Sequence, residues 1–176
     1  MKIEARTFIE APPSVVFRFF TELDHLRWVS AQRRREWCSH KGQRLRAGAQ
    51  YEIQVRQGRH AIGLEFKTTR YEVERLVEDE CHTFPVKGAV RLLTCEPDQG
   101  GTLIADMNYW DPPWYARAIV AKNEDEQRSF FAEKLANAKR VVEQVFRAHG
   151  EQAFTRGVAV ELEALGISPV IKSDER

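Results

Sequence analysis

At 176 residues the chain is the size of one domain, and folding can remove roughly two thirds or more of its unfolded surface from water. Its 27 Lys and Arg nearly cancel its 26 Asp and Glu, so the formal charge of +1 supplies no net field with which to hold a polyanion such as nucleic acid. Three widely spaced cysteines, Cys38, Cys81 and Cys95, fit reduced thiols in a cytoplasmic protein rather than a disulfide framework.

Lys2, Glu4 and Arg6 stand where a signal peptide would carry an apolar run. No later segment approaches the roughly eighteen uninterrupted apolar residues of a membrane span, and a soluble protein is expected. The opening stretch alternates Ile3, Ala5, Thr7 and Ile9 against Glu4, Arg6 and Glu10, a period of two that places one face of a strand on a core. Pro12-Pro13 suits a helix start, because proline at the first helical position gives up an amide that has no partner there anyway. A helix over 13–20 follows, then a second short helix capped by Thr21 and ending near Trp28.

From Ser30 to Trp110 the pattern predicts strands at 32–40, 48–57, 60–76, 79–87, 89–97 and 101–110, separated by glycines as in an antiparallel meander. Tyr51, Ile53 and Val55 alternate, as do Ile62, Leu64 and Phe66, and Val90, Leu92 and Thr94. The apolar parity shifts between Phe66 and Tyr71-Val73, which predicts a bulge that bends the sheet. After Asp111-Pro112-Pro113-Trp114-Tyr115 comes a long helix over 122–149. Its apolar stripe runs through Phe131, Leu135, Ala138, Val142 and Val145, with Glu133, Lys134, Lys139, Arg140 and Glu143 on the outer side. Gly150 ends it at a left-handed cap. Residues 151–176 predict a short extra helix and a disordered tail.

The string Phe8-Ile9-Glu10-Ala11-Pro12-Pro13-Ser14-Val15-Val16-Phe17, with Leu23-Asp24 and Trp28, resembles the N-terminal signature of the START-related helix-grip superfamily (SRPBCC), which includes polyketide cyclases and the birch-pollen-allergen fold. Gly100-Gly101-Thr102-Leu103 resembles that family's glycine-threonine entry into its last strand. The resemblance covers about residues 2–149. It implies an α+β helix-grip fold, in which a seven-stranded curved antiparallel sheet wraps a long C-terminal helix, with two short helices after the first strand. It also implies an internal hydrophobic cavity between sheet and helix. The ligand-binding domain is then 1–150, and 151–176 is an extension.

The family has no universal catalytic residue, so none is assigned. Candidates for ligand contact are Trp28, Tyr51, His82, Phe84, Asp106, Asn108, Trp110, Trp114 and Tyr115. Asp106, Asn108 and Trp110 share one face of the last strand, and an inward face of this kind would set polar groups beside an aromatic wall. The alternative is that Leu103, Ala105, Met107 and Tyr109 face inward and Asp106 is solvated. His82 shares a face with Phe84 and could act as a general base, unless it is simply exposed on a charged strand. Trp28, Trp114 and Tyr115 are expected to ring the cavity mouth, the competing reading being core packing. Arg33-Arg34-Arg35 reads as a charged edge strand, though one arginine turned inward could pair with a ligand carboxylate. Neither Cys38 with His40 nor Cys81 with His82 has metal-site spacing, and no metal or cofactor is expected.

Nucleotide-binding, hydrolase-elbow and metalloprotease motifs are absent from the sequence. The expected function is binding of a small hydrophobic or aromatic molecule. One alternative is a polyketide cyclase/aromatase-like enzyme in which Asp106, Asn108 or His82 would orient an enol and move protons. A second is a protein-interaction module docking through 151–176. The expected partners are the small ligand and a second copy in a homodimer, with no nucleic acid and no membrane span.

Overall fold

The alternation of the first strand survives in three dimensions: β1 (Lys2–Ile9) buries Ile3 and Ile9 and exposes Lys2 and Arg6. The chain is described here from a computed structural model, over residues 1–31, 34–57, 59–84, 86–114, 117 and 123–170. Pro13 occupies the first position of α1 (Pro13–Thr21), and the Pro12 carbonyl accepts the amides of Val15 and Val16. A 3-10 turn at Leu23–His25 and α2 (Leu26–Val29) complete the helical insert, where the sequence predicted a single second helix.

Six further strands follow: β2 (Arg34–Cys38), β3 (Gln50–Gln57), β4 (His60–Glu72), β5 (Leu76–Cys81), β6 (Val90–Asp98) and β7 (Gly101–Tyr109). They form one seven-stranded antiparallel sheet in the order β1-β7-β6-β5-β4-β3-β2. The pairing of β4 with β5 shifts register between Thr68 and Arg70, where the sequence predicted a bulge. Gly101 lets β7 enter close to β1, since a Cβ there would lie 2.5 Å from the Ile9 carbonyl oxygen.

The sheet curves around α3 (Glu124–His149), a helix of 26 residues with acidic residues in its first turn and Arg147 and His149 in its last, as the helix dipole favours. Its buried face includes Phe131, Leu135, Ala138, Val142 and Val145, the predicted stripe. Residues 153–167 then fold back on the helical insert. Phe154, Val158 and Leu162 are fully buried in the main core, and Phe154 packs on Phe19 with ring centroids 5.3 Å apart. The Glu22 carboxylate accepts the Val158 amide at 2.9 Å and so caps α4 (Val158–Ala164).

Several sequence expectations need correction. The strand predicted over 60–76 stops at Glu72, because Glu74 adopts a left-handed φ of 60° and makes a turn without glycine; Val73 is consequently exposed. The strand predicted over 79–87 ends at Cys81. In β6 the inward parity is Arg91, Leu93 and Cys95, not Val90, Leu92 and Thr94, because both parities are half apolar and pairing with β5 and β7 decides. Lys134 and Glu143, assigned to the outer side of the long helix, are buried with partners. Gly150 has φ 58° but ψ −138°, so it ends α3 outside the left-handed helical basin. The predicted tail falls mainly on residues 171–176, outside the described residues.

Candidate functional site

Between the concave sheet and the N-terminal part of α3 lies a cavity of about 490 Å³. Its apolar wall comes from every side of the fold. Ile3 of β1, Leu64 and Phe66 of β4, Cys81 of β5, Val90 of β6 and Phe131 of α3 all contribute. Trp110, half-buried just after β7, closes one side. Polar side chains also reach the wall, among them Arg34, Arg91, Asn108, Tyr109, Asn123 and Gln127.

The inner face of β7 is the one that carries Thr102, Ile104, Asp106 and Asn108. Asp106 is completely buried and accepts two bonds from Arg91 of β6, from Nε to Oδ1 at 3.0 Å and from Nη2 to Oδ2 at 3.1 Å. Asn108 donates a further bond to Asp106 Oδ1 at 3.2 Å. Burial works against the Arg91 charge, but Asp106 outweighs it and raises the guanidinium pKa above its ordinary value. Asp106 does not itself line the cavity; it holds Arg91, which does.

A second polar group sits across β2 and α3. Lys134 Nζ donates to Glu36 Oε2 at 2.9 Å, and Arg34 Nη2 lies 3.1 Å from Glu36 Oε1. Burial opposes the Glu36 charge, yet Lys134 and Arg34 overcome it and bring the carboxyl down to about 2. Arg34 also donates from Nη1 to Gln127 Oε1 at 2.6 Å and covers the Phe130 ring, 4.5 Å from its centroid. Its Nε is buried without a hydrogen-bond partner among the described residues.

On β5, Asp79 accepts the Thr68 hydroxyl at 2.8 Å. Burial raises its carboxyl above the usual range, against the opposing pull of Arg91 and Thr68. Tyr51 Oη and Asp79 Oδ2 influence one another's ionisation, but neither meets hydrogen-bond geometry. His25 is wholly buried against Phe19 and Phe20 and donates Nδ1–H to the Glu22 carbonyl at 2.9 Å. Burial, followed by the charge of Lys134, lowers it to about 3. Burial alone pushes the Cys95 thiol up to about 12, and burial foremost raises Cys81, so neither is set up as a thiolate nucleophile.

The predicted site residues divide sharply. Asn108 and Trp110 line the cavity, and Asp106 stands behind Arg91. Tyr51 is buried on β3, stacked on Phe66 with centroids 5.4 Å apart, but does not reach the cavity wall. It borders instead a wide depression of about 790 Å³ with His40, Glu52, Glu65, Lys67 and His82, whose largely polar rim encloses little. His82 is exposed and Phe84 is 71% exposed, because the strand meant to hold them has already ended. The aromatic mouth does not assemble as expected. Trp28 is 1% exposed and donates Nε1–H to the Ile167 carbonyl at 2.9 Å, so the returning extension makes it a core residue. Trp114 is 82% exposed and absent from the cavity wall, and Tyr115 lies outside the described residues. Missed altogether were Arg91, Lys134, Glu36, Gln127 and Asp79. A charged residue on a buried parity, as at Arg91 in step with Leu93 and Cys95, was the available signal. Among the described residues no cluster of three or more His, Cys, Asp or Glu could hold a metal ion.

A curved antiparallel sheet closed by one long helix over an internal cavity defines a helix-grip protein of the START-related kind. The chain belongs to the family described as polyketide cyclase/dehydrase and lipid transport, whose model matches residues 1–148. Similar solved structures include protein CV1439 from Chromobacterium violaceum, at 15% identity and TM-score 0.65, covering 81% of this chain and 96% of that one. TTHA0849 from Thermus thermophilus gives 13% identity and TM-score 0.63, over 81% and 97% of the two chains. The Aha1 dimer from Colwellia psychrerythraea gives 17% identity and TM-score 0.59, over 81% and 96%. At these identities the likeness shows the fold alone. No curated protein matches this sequence.

Proposed function

We propose that the protein binds a small, largely apolar or aromatic molecule in the cavity between sheet and helix. The observation that carries this reading is the cavity itself. Its volume of about 490 Å³ falls within the range of small-molecule sites, roughly 300–1,000 Å³, and its wall is mostly aliphatic and aromatic with a few placed polar groups. The family's description, which joins cyclase and dehydrase chemistry with lipid transport, supports a ligand in this position. Binding has better support than turnover: both oxygens of Asp106 are engaged by Arg91, and His82 faces solvent, so neither is placed to move a substrate proton. The extension directs Phe154, Val158 and Leu162 into the protein's own core, which weakens the interaction-module reading.

Native mass spectrometry of the purified protein should show a retained small molecule, or uptake of an added aromatic one. Ala89→Trp, which fills the cavity from its wall, should abolish that adduct while leaving the fold intact by circular dichroism. Undiminished binding in a folded Ala89→Trp protein would place the ligand elsewhere. A cytoplasmic location is part of this reading, supported by three free and buried cysteines. So is a homodimer, for which the support is the dimeric Aha1 neighbour; a monomeric sedimentation mass would remove it. Among the described residues no helix is long and apolar enough to cross a membrane.

A further inference from the structure

We infer that the cavity selects an amphipathic carboxylate, with its carboxylate held between Arg91, Arg34 and Asn108 and its apolar body against Leu64, Phe66 and Phe131. This inference rests on the cavity-binding reading above and adds the chemistry of the ligand's head.

The first observation is the make-up of the wall. Two arginines line it, and no Asp or Glu does. Each arginine keeps a carboxylate behind it, Asp106 for Arg91 and Glu36 for Arg34, but the wall itself presents guanidinium and no acid, so a cationic ligand would meet like charge there. Placing a charge in such surroundings is costly unless it is paired. The second observation is unused donor capacity. Arg91 gives Nε and Nη2 to Asp106, and among the described residues no acceptor takes Nη1. Arg34 donates Nη1 to Gln127 and sets Nη2 3.1 Å from Glu36, and its Nε is buried without an acceptor among the described residues, so what Arg34 brings to the wall is its charge rather than an open donor. Asn108 spends one of its two amide hydrogens on Asp106 and keeps the second for a ligand.

Charge balance points the same way. Arg91, Arg34 and Lys134 face the interior, while Asp106 and Glu36 are the carboxylates that pair with them. Asp79 accepts a bond from Thr68 and, like Asp106 and Glu36, is not part of the cavity wall, so no carboxylate of the protein is presented to a ligand there. An incoming carboxylate would therefore meet guanidinium with no competing acid at the wall, and its planar pair of oxygens suits guanidinium donors. Asp106 already demonstrates that fit on the far side of Arg91.

The test compares naphthalene-2-carboxylate with the similarly shaped neutral 2-naphthylmethanol by isothermal titration calorimetry near neutral pH. The carboxylate should bind the wild-type protein at least about tenfold more tightly, the margin expected of one hydrogen bond to a charged group. The margin should shrink in Arg34→Gln and in a protein carrying both Arg91→Met and Asp106→Leu, which removes the buried pair without orphaning either charge. Should the double variant fail to fold, the wild-type margin and Arg34→Gln still decide. Equal affinities for the two probes, or a margin unchanged in every folded variant, would overturn the carboxylate inference and leave the cavity reading standing. If neither probe binds, both are overturned.

Discussion

Arg91 and Asp106 are not register partners: Arg91 faces Asn108 across the β6–β7 ladder, and Asp106 faces Leu93, so the two-pronged ion pair runs diagonally across the ladder. The diagonal carries the guanidinium from the Asn108 register position toward Asp106, while Arg91 still forms part of the cavity wall. The same geometry makes the pair sensitive to loss of one member. Removing Arg91 alone strands a fully buried carboxylate, and Arg91→Ala should cost about 3–5 kcal/mol in urea unfolding. Arg91→Met with Asp106→Leu should recover most of that loss, because apolar groups of similar size carry no desolvation penalty. A double variant as unstable as the single one would show that the pair is held together by more than its own charges.

Leu135 sits at the centre of the α3 stripe and is 2% exposed. Leu135→Ala should lower stability by about 2–5 kcal/mol, through lost transfer energy and the hole left behind. An unchanged denaturant midpoint would mean that the helix does not rest on this face.

Acid should weaken the fold in two stages. His25 has its pKa lowered from 6.5 to about 3, so between these values the unfolded chain takes up a proton that the folded chain refuses. Stability therefore falls as pH drops through this window, by about 1.4 kcal/mol per pH unit at most. Glu36 is lowered from 4.5 to about 2, so the stability it contributes is present above 4.5 and is lost as pH falls toward 2. His25→Gln should flatten the dependence between pH 6.5 and 4.5, and Glu36→Gln should lower stability above pH 4.5 while changing the slope only below it. Urea midpoints measured across both windows check this; equal slopes in wild type and His25→Gln would mean that His25 is not protected from protonation.

Tryptophan emission can report where a ligand sits. Of the four tryptophans, Trp110 lines the cavity, Trp28 is in the core under the extension, Trp37 is buried on β2 outside the cavity wall, and Trp114 is in solvent. Binding of an aromatic ligand should change the emission of the wild-type protein, and that change should be lost in Trp110→Phe but kept in Trp114→Phe. Trp114→Phe should also leave the melting temperature within a degree or two, as is usual for exposed positions. Loss of the signal in Trp114→Phe instead would restore Trp114 to the entrance.

Periodicity and punctuation were enough to read the number of strands, the bend near Thr68, the proline-started helix and the long closing helix. Each depends on residues close together in the chain: Ile3 to Ile9 at a period of two, Phe131 to Val145 at three and four. Where two local patterns were equally good, as in Val90-Leu92-Thr94 against Arg91-Leu93-Cys95, nothing local could choose between them. The turn at Glu74 was hidden for the same reason, since a left-handed glutamate carries no mark comparable to glycine.

The sequence by itself therefore determined the elements and their order, because backbone geometry imposes those periods on neighbouring residues, and its resemblance to a known family supplied the helix-grip class. Only the tertiary structure decided what faces the cavity. Arg91 meets Asp106 across 15 positions of sequence and Glu36 meets Lys134 across 98, and a charge becomes an interior residue only when such a distant partner offsets its loss of water. Trp28 likewise became core rather than entrance because Ile167, 139 residues later, folds back to accept its indole hydrogen.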